Sequence, residues 1–202
     1  MLENHPKLKH FLHYLLIHPY TARPRLWVRW FIIPLIIKRG KGSIIRRKAR
    51  LDIIPSKKFA IGVKTIIEDY VIVNNGMGNV IIGNYSKMLS RTMLVGPVKI
   101  GNKVVLGSNS RITGLTHNYL DVNIPIDDQG VTASMTTIED DVWIGGNCCI
   151  NQGLHIGTHV IIGAGSVVTK DIPSYCVAVG NPARVVKMFD FAKNEWVRPA
   201  KQ

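Results

Sequence analysis

Cysteine is scarce in this sequence. Its 202 residues hold three, Cys148, Cys149 and Cys176, two of them adjacent, and no C-x-x-C occurs. An odd number so spaced excludes a disulfide framework and a zinc ribbon and suits a reducing cytoplasm. A continuous apolar span of about 20 residues is also missing, since Phe31 to Ile37 is far shorter, so no transmembrane helix is expected. The N-terminus lacks the basic, apolar, small-residue order of a cleaved signal, because His13, His18, Pro19 and Arg23 break its apolar stretches. Acidic residues are few, 13 against 26 Lys and Arg, and residues 1–50 hold Glu3 alone. Twelve of the cations fall in that quarter, which leaves +11 there and +2 on the remainder. A polyanion or an anionic membrane surface would be met by the N-terminal end.

What the chain does have is 46% hydrophobic residues, 19% charged residues and a repeat. That composition excludes a disordered chain and supports one domain with a small appendage. Ile82, Met88, Leu94, Ile100, Leu106 and Ile112 share one frame of six, which resumes at Ile138, Ile144, Ile150, Ile156, Ile162 and Val168. The second position of the hexad is often Gly (83, 101, 107, 145, 157, 163). The fifth is small or β-branched, as at Ser86, Thr92, Val104, Ser110, Thr116 and Cys148. A period of six scatters side chains around a helix, whereas short strands joined by tight corners keep them aligned. The first residue of each hexad then points inward and the fifth fills the corner. Gly at the second position is expected to supply a backbone conformation closed to other residues. Three faces close a triangular coil, and coils stacked at about 4.8 Å bury a continuous aliphatic core. A sandwich would instead alternate with period two.

Less regular hexads begin at Ile61, Ile67 and Val73, and Asn74 to Asn79 interrupts them. Residues 5–18 read as an amphipathic helix stopped by Pro19, and a second apolar, basic stretch runs from Leu26 to Ile37 with Pro34 inside it. Together they would cap the open end of the stack, which otherwise exposes strand edges and core side chains. A terminal helix is expected at 190–196. Between Thr116 and Thr137 lies a long loop with His117, Asn118, Tyr119, Asp121, Asp127 and Asp128, poor in Ser and Gly, which reads as functional.

Beside the repeat stand Asp141-Val142-Trp143-Ile144-Gly145, then Ile162-Gly163-Ala164-Gly165-Ser166 through Pro173, then Gly180-Asn181-Pro182-Ala183. With these motifs the sequence resembles the hexapeptide-repeat acyltransferases, in particular the maltose, galactoside and polysaccharide O-acetyltransferases, from about residue 60 to 188. The resemblance implies an all-β fold, a left-handed parallel β-helix that forms a homotrimer. It also implies acetyl-CoA as acyl donor. The expected organisation is a basic helical cap at 1–41, the β-helix at 42–188 with an active-site loop at 117–136, and a tail at 189–202.

In the enzymes so resembled, a His at the position of His117 is the general base; imidazole suits proton removal from an alcohol that attacks a thioester. Tyr119 and Asp121 would bind acceptor hydroxyls, orient the imidazole or hold the loop. Where the maltose and galactoside enzymes place an acceptor-facing asparagine after an aromatic residue, this chain has Lys87-Met88-Leu89-Ser90, so Ser90 takes that place and a maltose-type acceptor is disfavoured. Trp143 occupies an outward position and implies a covered surface, by resemblance beside an active site between subunits. Matching motif positions put Gly146, Ala164, Thr169, Lys170, Arg184 and Lys187 at cofactor-contacting places, small residues for the pantetheine arm and cations for the phosphates. His155 and His159 invite a zinc reading of the kind found in β-helical carbonic anhydrases, but they occupy different hexad positions, and no metal is expected.

The reading favoured by sequence is an O-acetyltransferase that acts on a saccharide hydroxyl, small or lipid-linked, in surface polysaccharide or glycolipid synthesis. It would be cytoplasmic, with peripheral membrane contact through the basic segment and no nucleic-acid role. Rivals are an antibiotic O-acetyltransferase, a zinc carbonic anhydrase and a non-catalytic trimeric scaffold. No Cys or Ser stands in a nucleophile motif, so direct transfer in a ternary complex is expected.

Overall fold

A computed structural model describes residues 6–18 and 23–199. The chain winds into a β-solenoid of six coils whose strands form three parallel sheets. The first sheet contains Lys38–Arg39, Phe59–Ile61, Val80–Ile82, Val98–Ile100, Thr136–Ile138 and His155–Ile156. The second runs through Ile44–Ile45, Ile66–Ile67, Lys87–Met88, Val105–Leu106, Trp143–Ile144, Ile161–Ile162 and Cys176–Gly180. The third holds Arg50–Asp52, Ile72–Asn74, Met93–Val95, Arg111–Thr113, Cys149–Ile150 and Val167–Val168. Both six-residue frames lie inside: every first-position residue from Ile82 to Val168 is 2% exposed or less, and Ile61, Ile67 and Val73 join them. Each fully buried Ile or Leu contributes about 1.5–3 kcal/mol relative to exposure, so this column is the main source of cohesion.

The glycines serve a different purpose from the one their positions suggest. Among the described residues, the second-position glycines have ordinary negative φ, and they are small because the next coil comes so near. A Cβ on Gly83 would stand 2.5 Å from the carbonyl carbon of Gly101, and one on Gly145 2.6 Å from the nitrogen of Ala164. The left-handed conformation falls on the fourth position, filled by Lys64, Tyr85, Lys103, Asp141 and His159 at the first corner and by Arg91, Asn109 and Asn147 at the second. Gly42 and Gly165 take this place in the first and last coils; at the residues named φ is positive without glycine, so each carries a small local cost that the repeat imposes.

At the first corner, between the first and second sheets, the third-position side chains form a ladder. The N–H of Val63 donates to Asn84 Oδ1, that of Asn84 to Asn102 Oδ1 and that of Asn102 to Asp140 Oδ1, each at 2.8 Å. The N–H of Thr158 donates to Ser174 Oγ at 3.0 Å. Side-chain donation from Asn102 Nδ2 and backbone donation from Asn102 hold the Asp140 carboxyl below the usual carboxylate range. A lowered pKa in the folded state contributes stability that is complete above the unfolded value and lost as pH falls through the folded one. Asp140→Asn places two amide NH₂ groups against each other, so it should melt lower at neutral pH. The gap to the parent should narrow as pH falls below the ordinary Asp value of about 3.9 and on through the lowered folded one. Thermal melts across that range check it, and a pH-independent gap contradicts it.

The N-terminal segment caps the first coil. Helix α1, Pro6–Leu16, is followed by an antiparallel bridge between Ile17 and Pro24. His5, the expected first residue of that helix, and Pro19, its expected stop, lie outside the described residues. A π-helical turn, Val28–Ile32, passes into α-helix at Ile33–Ile36, with the N–H of Ile33 reaching back to the Val28 carbonyl just before Pro34, which has no N–H to give. Ile17, Val28 and Ile33 are buried, with Leu16, Ile32, Ile36 and Ile37 packed against the end of the core.

The expected C-terminal helix is absent. Ala183–Asp190 folds back antiparallel on Cys176–Gly180, and Glu195–Val197 pairs with its end. Asp190 Oδ1 accepts from the N–H groups of Ala192 and Lys193, and Asn194 takes a positive φ, which closes a turn. Edge-to-face contacts of Phe189 with Phe191 and Trp196, and stacking of Trp196 on His159, favour the ribbon over a helix.

Candidate active site

The long insertion leaves the third corner, between the third sheet of the fourth coil and the first sheet of the fifth. It is more ordered than a loop. Leu115–His117 pairs antiparallel with Val131–Ala133, and a 3₁₀ turn, Ile126–Gln129, lies between them. Thr116, expected as a corner filler, is therefore a strand residue of this hairpin arm. His117 stands out on the arm opposite Val131, beyond the coil at whose end it was expected. Its side chain is exposed and makes no hydrogen bond among the described residues.

The arm is held by residues that sequence reasoning passed over. Asn118 Nδ2 donates to the Gln129 carbonyl at 3.0 Å, and Thr132 Oγ1 donates to Asn118 Oδ1 at 2.7 Å. Gln129 Nε2 donates to the carbonyls of Asp121 and Ile124, both at 2.8 Å, while Gln129 Oε1 accepts from the Asp121 N–H. Tyr119 and Asp121 line one open depression with Pro125 and Gln129. Asp121 Oδ1 accepts from the N–H and Nδ2 of Asn123, so this carboxylate shapes the loop and makes no hydrogen bond to His117.

Four of the remaining candidates share the second corner, between the second and third sheets. Ser90, Gly146 and Ala164 are third-position residues of their coils. Arg184 follows the turn 180–183, which sits on the corner of Ala164 through a bond from the Gly180 N–H to Ser166 Oγ at 3.1 Å. Ser108 occupies the same column between Ser90 and Gly146, and its hexad position was the signal that could have found it. In this column carbonyls are used: Ser108 accepts from the Asn147 N–H and Gly146 from the Gly165 N–H, both at 2.9 Å. The N–H groups of Ser108, Gly146 and Ala164 have no acceptor among the described residues. The first corner fills such N–H groups with Asn and Asp side chains; the second does so at Asp69, whose Oδ1 accepts from the Lys48 N–H, and from Ser90 to Ala164 it has no third-position carbonyl side chain to offer. A ligand with amide carbonyls, or a developing oxyanion, finds donors ready here.

Thr169 and Lys170 are exposed at the other end of the strand Val167–Val168, on the third corner. Lys187 is exposed and pairs with Val177, three residues from Arg184 along the ribbon, about 10 Å at strand spacing. The column at the second corner, Thr169 and Lys170 at the third, and Arg184 and Lys187 on the ribbon that extends the second sheet thus do not converge on one point. Trp143 is 58% exposed on the second sheet, in register with Val105 and Ile161. The outward positions of that sheet, Ile44, Ile66, Val105, Trp143, Ile161 and Val177, are apolar apart from Lys87. In a triangular coil the second face lies opposite the third corner, so one protomer holds Trp143 and His117 on opposite sides.

His155 and His159, which invite a zinc reading that their hexad positions disfavour, are each bound to a carboxylate. His155 Nε2 lies 3.1 Å from Glu139 Oε1, and His159 Nδ1 lies 2.6 Å from Asp141 Oδ2. Among the described residues no three metal-ligating side chains converge. Burial pushes the Cys148 and Cys176 thiols up, which keeps them protonated and poor nucleophiles.

Residues 135–170 match the family model described as bacterial transferase hexapeptide (six repeats). The galactoside O-acetyltransferase of Lactococcus lactis is 30% identical over 154 residues, 75% of this chain and 73% of that one. The chain belongs to the hexapeptide-repeat acetyltransferase family. Of other curated relatives it spans less than half the length, 30% of a probable acetyltransferase of Mycobacterium tuberculosis and 43% of the galactoside O-acetyltransferase of Escherichia coli, to which it is 38% and 41% identical. Two of the solved structures that share the solenoid hold an acyl donor. One is the hexapeptide-repeat acetyltransferase VCA0836 of Vibrio cholerae, complexed with acetyl coenzyme A, at 27% identity and TM-score 0.53 over 76% of this chain and 71% of that one. The other is the N-acyltransferase AntD of Bacillus cereus, in complex with dTDP and 3-hydroxybutyryl-CoA, at 25% identity and TM-score 0.66 over 77% and 85%.

Proposed function

We propose that the protein transfers acetyl from acetyl-CoA to a saccharide hydroxyl and works as a homotrimer in the cytoplasm. The observation that carries this reading is the open N–H column at Ser108, Gly146 and Ala164, in a chain with a galactoside O-acetyltransferase among its relatives. The pantetheine amides would accept from that column. Lys170, Arg184 and Lys187 supply positive charge for the phosphates, and Thr169 a hydroxyl. His117 Nε2 or Nδ1 takes the proton of the acceptor hydroxyl as its oxygen forms the new bond to the thioester carbon. The tetrahedral intermediate then expels coenzyme A as the C–S bond breaks, and the imidazolium returns the proton to sulfur.

The two-sided layout supports the trimer: a neighbour packed on the apolar second face would bring its hairpin and His117 to the column. Ser90, Trp143, Tyr119 and Asp121 would surround the acceptor there. An amine acceptor is the second reading, favoured by the likeness to the N-acyltransferase AntD. Coenzyme A thiol release with a panel of sugars and amino sugars tests both. No release above hydrolysis with any member would sink the transferase reading.

Ala164→Asn copies the first corner by offering the Gly146 N–H a side-chain acceptor. It should raise the KM for acetyl-CoA roughly tenfold, the worth of one lost hydrogen bond with its steric cost, and leave the melting temperature nearly unchanged. Steady-state kinetics with the donor varied measures it.

A further inference from the structure

The N-terminal cap is apolar on both sides. Val28, Ile33 and Ile36 face the solenoid, while Leu26, Trp27, Trp30, Phe31 and Leu35 face outward. Trp30 is 74% exposed, Phe31 69% and Leu35 84%. Helix α1 adds exposed Phe11, Tyr14 and Leu15. A helix apolar all round belongs in a core or against lipid, and an exposed patch of this kind needs something to cover it.

The surrounding charge selects what does so. Exposed Lys7, Arg23 and Arg29 accompany the cap. The first coil, directly behind it, presents Lys38, Lys41, Arg46, Arg47 and Lys48. Between residues 6 and 51 the sequence has no acidic residue. A second copy would set one cationic collar against another, and nucleic acid would leave Leu26, Phe31 and Leu35 without apolar partners. No helix among the described residues is long and apolar enough to cross a membrane.

We infer that the cap docks flat on an anionic lipid surface, its aromatic side chains entering the acyl boundary and its cationic collar meeting the headgroups. The fifth coil, from which the hairpin site is built, then stands four coil spacings, roughly 19 Å, behind the first. The inference concerns the cap alone and does not depend on the reaction proposed above.

Flotation of the full chain with vesicles of equal parts phosphatidylcholine and phosphatidylglycerol tests it. The protein should float at low salt, several-fold less at high salt, and little with phosphatidylcholine alone. Trp30→Ser combined with Phe31→Ser should melt as the parent does and partition at least tenfold more weakly. Arg29→Gln and Lys38→Gln should each cost roughly fivefold, and Lys193→Gln, at the far end, nothing. Absence of flotation at any salt, vesicle binding indifferent to the aromatic pair, or RNA binding in place of vesicle binding overturns the inference. So does an oligomer that the aromatic pair dissociates while vesicle binding persists.

Discussion

Replacing His117 with alanine is expected to lower the rate of acyl transfer by roughly 10²–10⁴, the worth of a positioned general base, while the KM for acetyl-CoA stays nearly constant. The structure gives the reason to expect a clean result. The imidazole is exposed and bonded to nothing among the described residues, and the arm that carries it is held by Asn118, Gln129 and Thr132. Removing the ring leaves that lock intact. Residual transfer should remain, since alignment of acceptor and thioester survives, and raising the pH should partly rescue turnover as the acceptor loses its proton unaided. A folded variant that acetylates an authentic acceptor at the parent rate would remove His117 from the chemistry and turn attention to Tyr119 and Asp121.

The solenoid was legible because its requirement is one-dimensional. Each first-position residue must be aliphatic and each fifth must fit a corner, so Ile82 through Val168 announce themselves in linear order. Contacts between coils are not written that way. Gly145 is small because Ala164, nineteen residues on, presses against it, and nothing in its own hexad says so. The open N–H column appears once third positions from successive coils are set side by side, which the insertion between Ile112 and Ile138 obscures. The helix expected at 190–196 does not form because the local preference of Ala192, Lys193 and Glu195 yields to ring contacts made by His159 and Phe189. The hairpin arm stayed hidden for a related reason: three residues on either side of a thirteen-residue connection carry too little pattern, and the register is set by the corner from which the arm leaves.

The largest effect expected of the assembly comes from mixing two crippled enzymes. The N–H column lies on the second corner and the His117 arm leaves the third, with the whole third sheet between them on one protomer. A neighbour covering the apolar face around Trp143 would bring its own arm to that column. Ala164→Trp, which fills the column, and His117→Ala, which removes the base, should each be trimeric alone and retain at most about a hundredth of the parent activity. In co-expressed mixed trimers, a site that draws its column from one subunit and its base from the next is intact whenever both happen to be unaltered, about a quarter of the time with equal amounts. Activity should return to about that fraction of the parent. Were the column and base supplied by the same protomer, every site would carry one lesion and mixing would restore nothing. Light scattering that finds a monomer at micromolar concentration would exclude the arrangement before any mixing is done.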